Sequence, residues 1–152
     1  MIKRKKAYDY NELAKVLVLI SETSYQSGSP WKEKQFFEDL TQDSSEYLIV
    51  EEAGEITAYL AFHILFDEIE IINLAVLSNK KRKGYAKLML NELIECAKEE
   101  TCHAIFLEVR ESNEPARQLY MRNGFIQTGK RKNYYHYPLE DAILMMLELN
   151  YS

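Results

Sequence analysis

Between Glu46 and Arg110 the hydrophobic pattern changes period twice, and this change limits the possible folds more than any other feature of the chain. Three short segments, "EYLIVEEA", "EITAYLAFHILF" and "EIEIINLAVL", follow one another with strand-like composition. Ala53-Gly54 and Phe66-Asp67-Glu68 supply tight turns between them, so they read as an antiparallel meander. After "NKKRKG" the period becomes helical: Leu90, Leu93, Ile94 and Ala97 fall on one face of a helix spanning 84–100. "HAIFLEVR" then returns to strand. A strand, a helix and a second strand in succession imply a parallel crossover, which requires a mixed sheet.

The flanking segments extend this frame. "IKRKKAY" reads as a short first strand, and "DYNELAKVLVLISETSYQ" as a helix with Asp9 or Asn11 as cap and Leu13, Val16, Leu17 and Ile20 at helical spacing. Ser29-Pro30-Trp31 predicts the start of a second helix, with Ser29 as cap, Pro30 at its first position, and Trp31, Phe36, Phe37 and Leu40 facing inward. "EPARQLYMRNG" is a short helix ending at Gly124, and 125–149 holds two strands around a long basic, Tyr-rich loop. The expected order is βααβββαβαββ: a mixed α/β (α+β) fold with about seven mostly antiparallel strands flanked by helices. At 152 residues, 1–152 reads as a single domain.

Composition narrows the functional classes. The chain has 24 acidic and 19 basic residues, a formal net charge of −5 that argues against DNA binding as the main task. No apolar run reaches the roughly 18 residues of a membrane span. The basic opening "MIKRKK" lacks an apolar core and cleavage site behind it, so a cytoplasmic protein with no membrane association is expected. Cys96 and Cys102 are the only cysteines and no histidine pair stands nearby. Both are expected to be reduced and structural, with no metal bound.

Against that acidic background, Lys80, Lys81, Arg82 and Lys83 stand in a row before Gly84. A nucleic-acid patch, a solvated turn and a cradle for a phosphorylated ligand all fit such a run. Its position between strand and helix suits a cradle, because a helix start offers free N–H groups and the positive end of the macrodipole; a solvated basic turn fits the composition equally well. Gly84 and Ala86 leave room for a ligand near the backbone, while Arg82, Lys83 and Lys87 add charge. The run is neither a dinucleotide fingerprint nor a Walker loop.

Three further features carry chemistry. Glu108 interrupts an apolar strand, on one face with Phe106 and Arg110. Burial raises a carboxylate's pKa, which suits a general base near neutrality; a salt bridge to Arg110 or an exposed edge explains the residue equally well. Tyr120 sits in the helix that returns across the sheet end, where it is either a packed core residue or an acid facing the same cleft. Tyr134, Tyr135, His136 and Tyr137 interleave with basic residues in the expected loop, as a base-stacking surface, a specificity lip or a flexible segment.

Taken together in this order and spacing, "LAVLSNKKRKGYAKLML", "IFLEVRESNEPARQLYMRNGF" and "RKNYYHYPLEDAILMML" resemble the GNAT superfamily of N-acetyltransferases, and within it the branch that acetylates ribosomal proteins on an N-terminal alanine. The strong resemblance covers 74–149; the first half fits more loosely. It implies an enzyme that uses acetyl-CoA as co-substrate, with Glu108 as general base and Tyr120 as general acid. It further implies that Leu74, Ala75 and Val76 offer backbone groups to the acetyl and pantetheine portion. Arg82, Lys83, Gly84, Tyr85, Ala86 and Lys87 would enclose the pyrophosphate, and Asn113 would touch the cofactor. Lys81 departs from the family's Gln or Arg, keeping charge but not shape.

The resemblance points to a protein or peptide N-terminus as acceptor, from a small-subunit ribosomal protein. A small-molecule amine or a lysine is the alternative acceptor, and a non-catalytic acetyl-CoA-binding or ribosome-associated module the alternative class. A monomer or weak homodimer is expected.

Overall fold

The computed structural model describes residues 1–150. Seven strands form one sheet: β1 (Ile2–Arg4), β2 (Ser45–Glu52), β3 (Glu55–Leu65), β4 (Glu68–Val76), β5 (Ala104–Arg110), β6 (Ile126–His136) and β7 (Leu139–Glu148). Four α-helices accompany them: α1 (Tyr10–Ser24), α2 (Glu33–Leu40), α3 (Tyr85–Glu99) and α4 (Glu114–Arg122). The order across the sheet is β1-β2-β3-β4-β5-β7-β6. Only β4 and β5 run parallel, joined through α3, as the period change in the sequence requires.

Alternation along the strands sends side chains to two separate cores. Tyr47, Ile49, Tyr59, Ala61 and Ala75 meet Leu13, Leu17 and Ile20 of α1 and Phe36 and Leu40 of α2. On the other side Leu48, Leu60, Ile69, Ile105 and Leu107 meet Met89, Leu90, Leu93 and Ala97 of α3, with Tyr120 of α4 in the same cluster. Cys96 and Cys102 are buried and outside any disulfide, and burial pushes both above the ordinary thiol range.

Three boundaries differ from the sequence reading. The first strand ends at Arg4, and a 3-10 turn takes Lys5–Ala7. The second helix begins at Glu33 rather than at Ser29-Pro30, because the Ser29 hydroxyl is occupied elsewhere. It bonds the Ser21 hydroxyl at 2.9 Å and donates to the Trp31 carbonyl at 2.5 Å. The start of the helix is capped instead by Gln35, whose side chain accepts from the Lys32 N–H at 2.8 Å. Lastly, Tyr134, Tyr135 and His136 lie in β6, not in a loop. The β6–β7 register slips between Arg131 and Tyr135, where Asn133 takes φ 54° and its N–H donates to Asp141 at 2.8 Å. That bulge absorbs the extra residues and the ladder resumes at Tyr135↔Glu140.

Candidate active site

The site is created where β4 and β5 stop pairing. Their parallel ladder runs from Glu68↔Ala104 to Ile71↔Leu107 and no further. One step beyond, β4 carries an extra residue: Phe62 faces Ile71 and Ala61 faces Asn73, leaving Ile72 unmatched. Such a bulge bends its strand, so β4 follows β3 while β5 follows β7, and a wedge opens between them. The backbone N–H groups of Leu74 and Val76 serve no β5 partner. The Tyr25 hydroxyl accepts from Leu74 at 3.1 Å and the Ser24 hydroxyl from Val76 at 3.1 Å.

Below the wedge lies the basic run. A 3-10 turn occupies Ser78–Lys80, Arg82 takes φ 72°, and Gly84 caps α3 at φ 82°. A Cβ at Gly84 would meet no protein atom within 4 Å; the left-handed backbone is what favours glycine there. Among the described residues, no backbone N–H from Arg82 to Lys87 donates a hydrogen bond to the protein. A row of free amides at a helix start, with open space over the glycine, fits a pyrophosphate.

The cations of the run do not act alike. Lys80 and Lys83 reach Glu52 at 2.6 Å and 3.4 Å, and the Tyr85 hydroxyl donates to the same carboxylate. These partners, Lys80 first, hold the Glu52 carboxyl down at about 2. Lys81 donates to the Ser24 carbonyl at 2.8 Å. Arg82 and Lys87 have neither an ion pair nor a side-chain hydrogen bond among the described residues. Thus the side chains of Lys83 and Tyr85, expected at the cofactor, are directed to Glu52, while Arg82 and Lys87 are left for a ligand.

Glu108 lies on β5 just past the last β4 pair, with its side chain 24% exposed. One oxygen stands 3.9 Å from the Arg131 Nε; the other, Oε2, is buried and has no hydrogen-bond partner among the described residues. Arg110 does not neutralise it, because its guanidinium pairs with Glu140 at 3.1 Å and covers the Tyr135 ring at 4.3 Å. The charge of Glu108, then burial and a side-chain contact with the Glu108 carboxylate, raise the Tyr134 hydroxyl, and burial followed by Glu108 pushes Tyr135 up to about 12.

Tyr120 is 5% exposed, its ring 5.4 Å from that of Phe125. Burial, then Tyr25 and Tyr135, hold its hydroxyl well above the usual phenol range, so it is protonated at neutral pH. Tyr135 is therefore a common electrostatic neighbour of Glu108 and Tyr120. Asn113 caps α4, its oxygen accepting from Ala116 N–H at 3.3 Å, which leaves its amide nitrogen for a ligand. Sequence reasoning missed Ser24, Tyr25 and Glu52, whose contacts reach 28 to 57 residues along the chain with no local pattern to announce them.

Comparison with known proteins decides the family. The model of the acetyltransferase (GNAT) family matches residues 11–125. The chain belongs to that family. It is an acetyl-CoA-dependent N-acetyltransferase with the mixed sheet of the GNAT fold. A [ribosomal protein bS18]-alanine N-acetyltransferase from Haemophilus ducreyi is 36% identical over 125 residues, covering 79% of this chain and 84% of that one. The protein of the same name from Escherichia coli K12 is 31% identical over 123 residues, covering 80% and 82%. The crystal structure of the ribosomal-protein-S18-alanine N-acetyltransferase from Escherichia coli superposes with a TM-score of 0.86 at 26% identity, covering 100% of this chain and 96% of that chain.

Proposed function

We propose that this GNAT enzyme acetylates a protein α-amino group, the N-terminal alanine of a small-subunit ribosomal protein of the bS18 type, in the cytoplasm, and that residues 1–152 act as one catalytic domain. The observation that carries the catalytic assignment is the buried, unpartnered Oε2 of Glu108 at the mouth of the wedge. A carboxylate oxygen withdrawn from water without a donor is costly, and an incoming ammonium supplies the missing partner. The relatives with this activity share about a third of their residues with the chain over most of its length, which supports the acceptor.

The acceptor chemistry agrees. An α-amino group has a reference pKa of about 7.7–8.0 against about 10.4 for lysine, so about 2.5 units, or roughly 3.4 kcal/mol, favour freeing an N-terminal lone pair. Glu108 takes the proton, directly or through a water. The neutral amine attacks the thioester carbonyl, whose oxygen is held by the β4 amides. As the C–S bond breaks, Tyr120 donates to the departing sulfur, and the nitrogen's remaining extra proton returns to the Tyr120 phenolate through water, leaving a neutral amide and free CoA. Because burial holds its hydroxyl above the usual phenol range, Tyr120 carries its proton when the reaction starts. The pyrophosphate rests on the amides of Arg82 to Lys87, with Arg82 and Lys87 as counter-charges and the Asn113 amide nitrogen beside the cofactor.

Incubation with acetyl-CoA and a panel of peptides, followed by mass mapping of the added acetyl group, tests the acceptor. Modification of the α-amine of alanine-initiated peptides is expected. Transfer confined to lysine side chains or to polyamines would overturn the assignment.

A further inference from the structure

The two amides that the donor needs are already occupied by the chain's own hydroxyls. Tyr25 accepts from Leu74 and Ser24 from Val76, both at 3.1 Å, at the last residue of α1 and the one after it. A single N–H cannot give a full-strength bond to two oxygens along one direction, and two oxygens within about 3 Å of the same nitrogen collide unless one moves. We infer that Ser24 and Tyr25 set the affinity for acetyl-CoA by competing with its carbonyl oxygens for Leu74 and Val76, so that donor binding requires the end of α1 to withdraw from β4. This rests on the reading of those amides as the acetyl and pantetheine site.

Two further contacts make the competition a coupled device. Lys81 donates to the Ser24 carbonyl at 2.8 Å, joining the basic run to the same turn. A pyrophosphate that draws Lys81 toward itself removes this tether while the pantetheine replaces the hydroxyls. Tyr25 also donates to the Asn73 side chain at 3.0 Å, and its hydroxyl raises those of Tyr120 and Tyr135. Its withdrawal therefore changes the surroundings of the proposed acid as the donor arrives.

The test is the dissociation constant of acetyl-CoA, measured by calorimetry on wild type, Tyr25→Phe, Ser24→Ala and the double variant. Thermal midpoints verify folding; Asn73 keeps its bond from Tyr59 at 3.1 Å when the Tyr25 hydroxyl is removed. Each lost hydroxyl is expected to tighten binding by roughly two- to tenfold, the reciprocal of one net intramolecular hydrogen bond, with the double variant tightest. Unchanged or weaker binding in both single variants overturns the competition. Amide resonances of Leu74 and Val76 are followed on adding acetyl-CoA to the wild type. If they stay still, the site reading itself fails; if they move while the variants bind as wild type, only the competition fails.

Discussion

Asp39 and Glu108 each carry a carboxylate oxygen withdrawn from solvent, yet their surroundings differ in kind. Asp39 on α2 is 8% exposed and fully engaged: His63 lies 2.6 Å from one oxygen, while Tyr47 at 2.7 Å and Ser45 at 3.1 Å donate to the other. Glu108 on β5 has one buried oxygen with no donor and one loosely approached by Arg131 at 3.9 Å. The first arrangement is complete without a ligand and joins α2 to β2 and β3. The second is incomplete, at the point where the sheet splits open. Full satisfaction is what a carboxylate spent on stability shows, and an orphaned oxygen beside a wedge is what the proposed general base requires.

Glu108→Gln is the sharpest way to break this contrast. Loss of a general base is expected to lower kcat by about 10²–10⁴-fold, with the acetyl-CoA dissociation constant and the thermal midpoint close to wild type. Steady-state kinetics beside calorimetry checks it; a large loss of stability with little loss of kcat would make Glu108 a structural residue like Asp39. Asp39→Ala should do the reverse. Removing it strands the Tyr47 and Ser45 hydroxyls and His63, at a cost of about 3 kcal/mol, or roughly 10 °C in thermal midpoint for a chain of this size. The kcat of the folded fraction should stay near wild type, which urea unfolding and activity at low temperature can separate.

The same contrast explains what was readable in the sequence. Glu108 was legible because it breaks an apolar strand, and Gly84 because a cationic run between a strand and a helix needs a turn there. Asp39 was not: within "EKQFFEDL" it looks like an exposed helix residue, and its partners come from strands six to 24 positions away. Tyr134 to His136 were misplaced for a different reason. All but two positions of β6 are exposed, so an edge strand with both sides open shows none of the alternation by which β2 to β5 announce themselves. Ser29 misled because a good capping residue was spent on Ser21. Long-range polar contacts, rather than apolar periodicity, account for most of what the sequence concealed.

The Asp39–His63 pair also gives stability a pH window, a smaller effect than either substitution. Burial opposes ionisation of Asp39, but the bonds from His63, Tyr47 and Ser45 outweigh it and lower the carboxyl below its ordinary 3.8. The hydrogen bond to Asp39 raises His63 above 6.5 despite burial, with Glu70 helping and Lys5 opposing. A lowered acid stabilises above its unfolded value and loses that contribution as pH falls through the folded one; a raised histidine stabilises below its unfolded value and loses it as pH rises through the folded one. The pair therefore contributes fully between about 4 and about 6.5 and fades on both sides. Urea midpoints from pH 5 to 9 should decline for the wild type as His63 gives up its proton. In His63→Gln, which cannot titrate, the difference from wild type should shrink across the same range. A difference that stays constant with pH would show that His63 holds Asp39 as a neutral hydrogen-bond partner, with no charge-dependent part to the pair's stability.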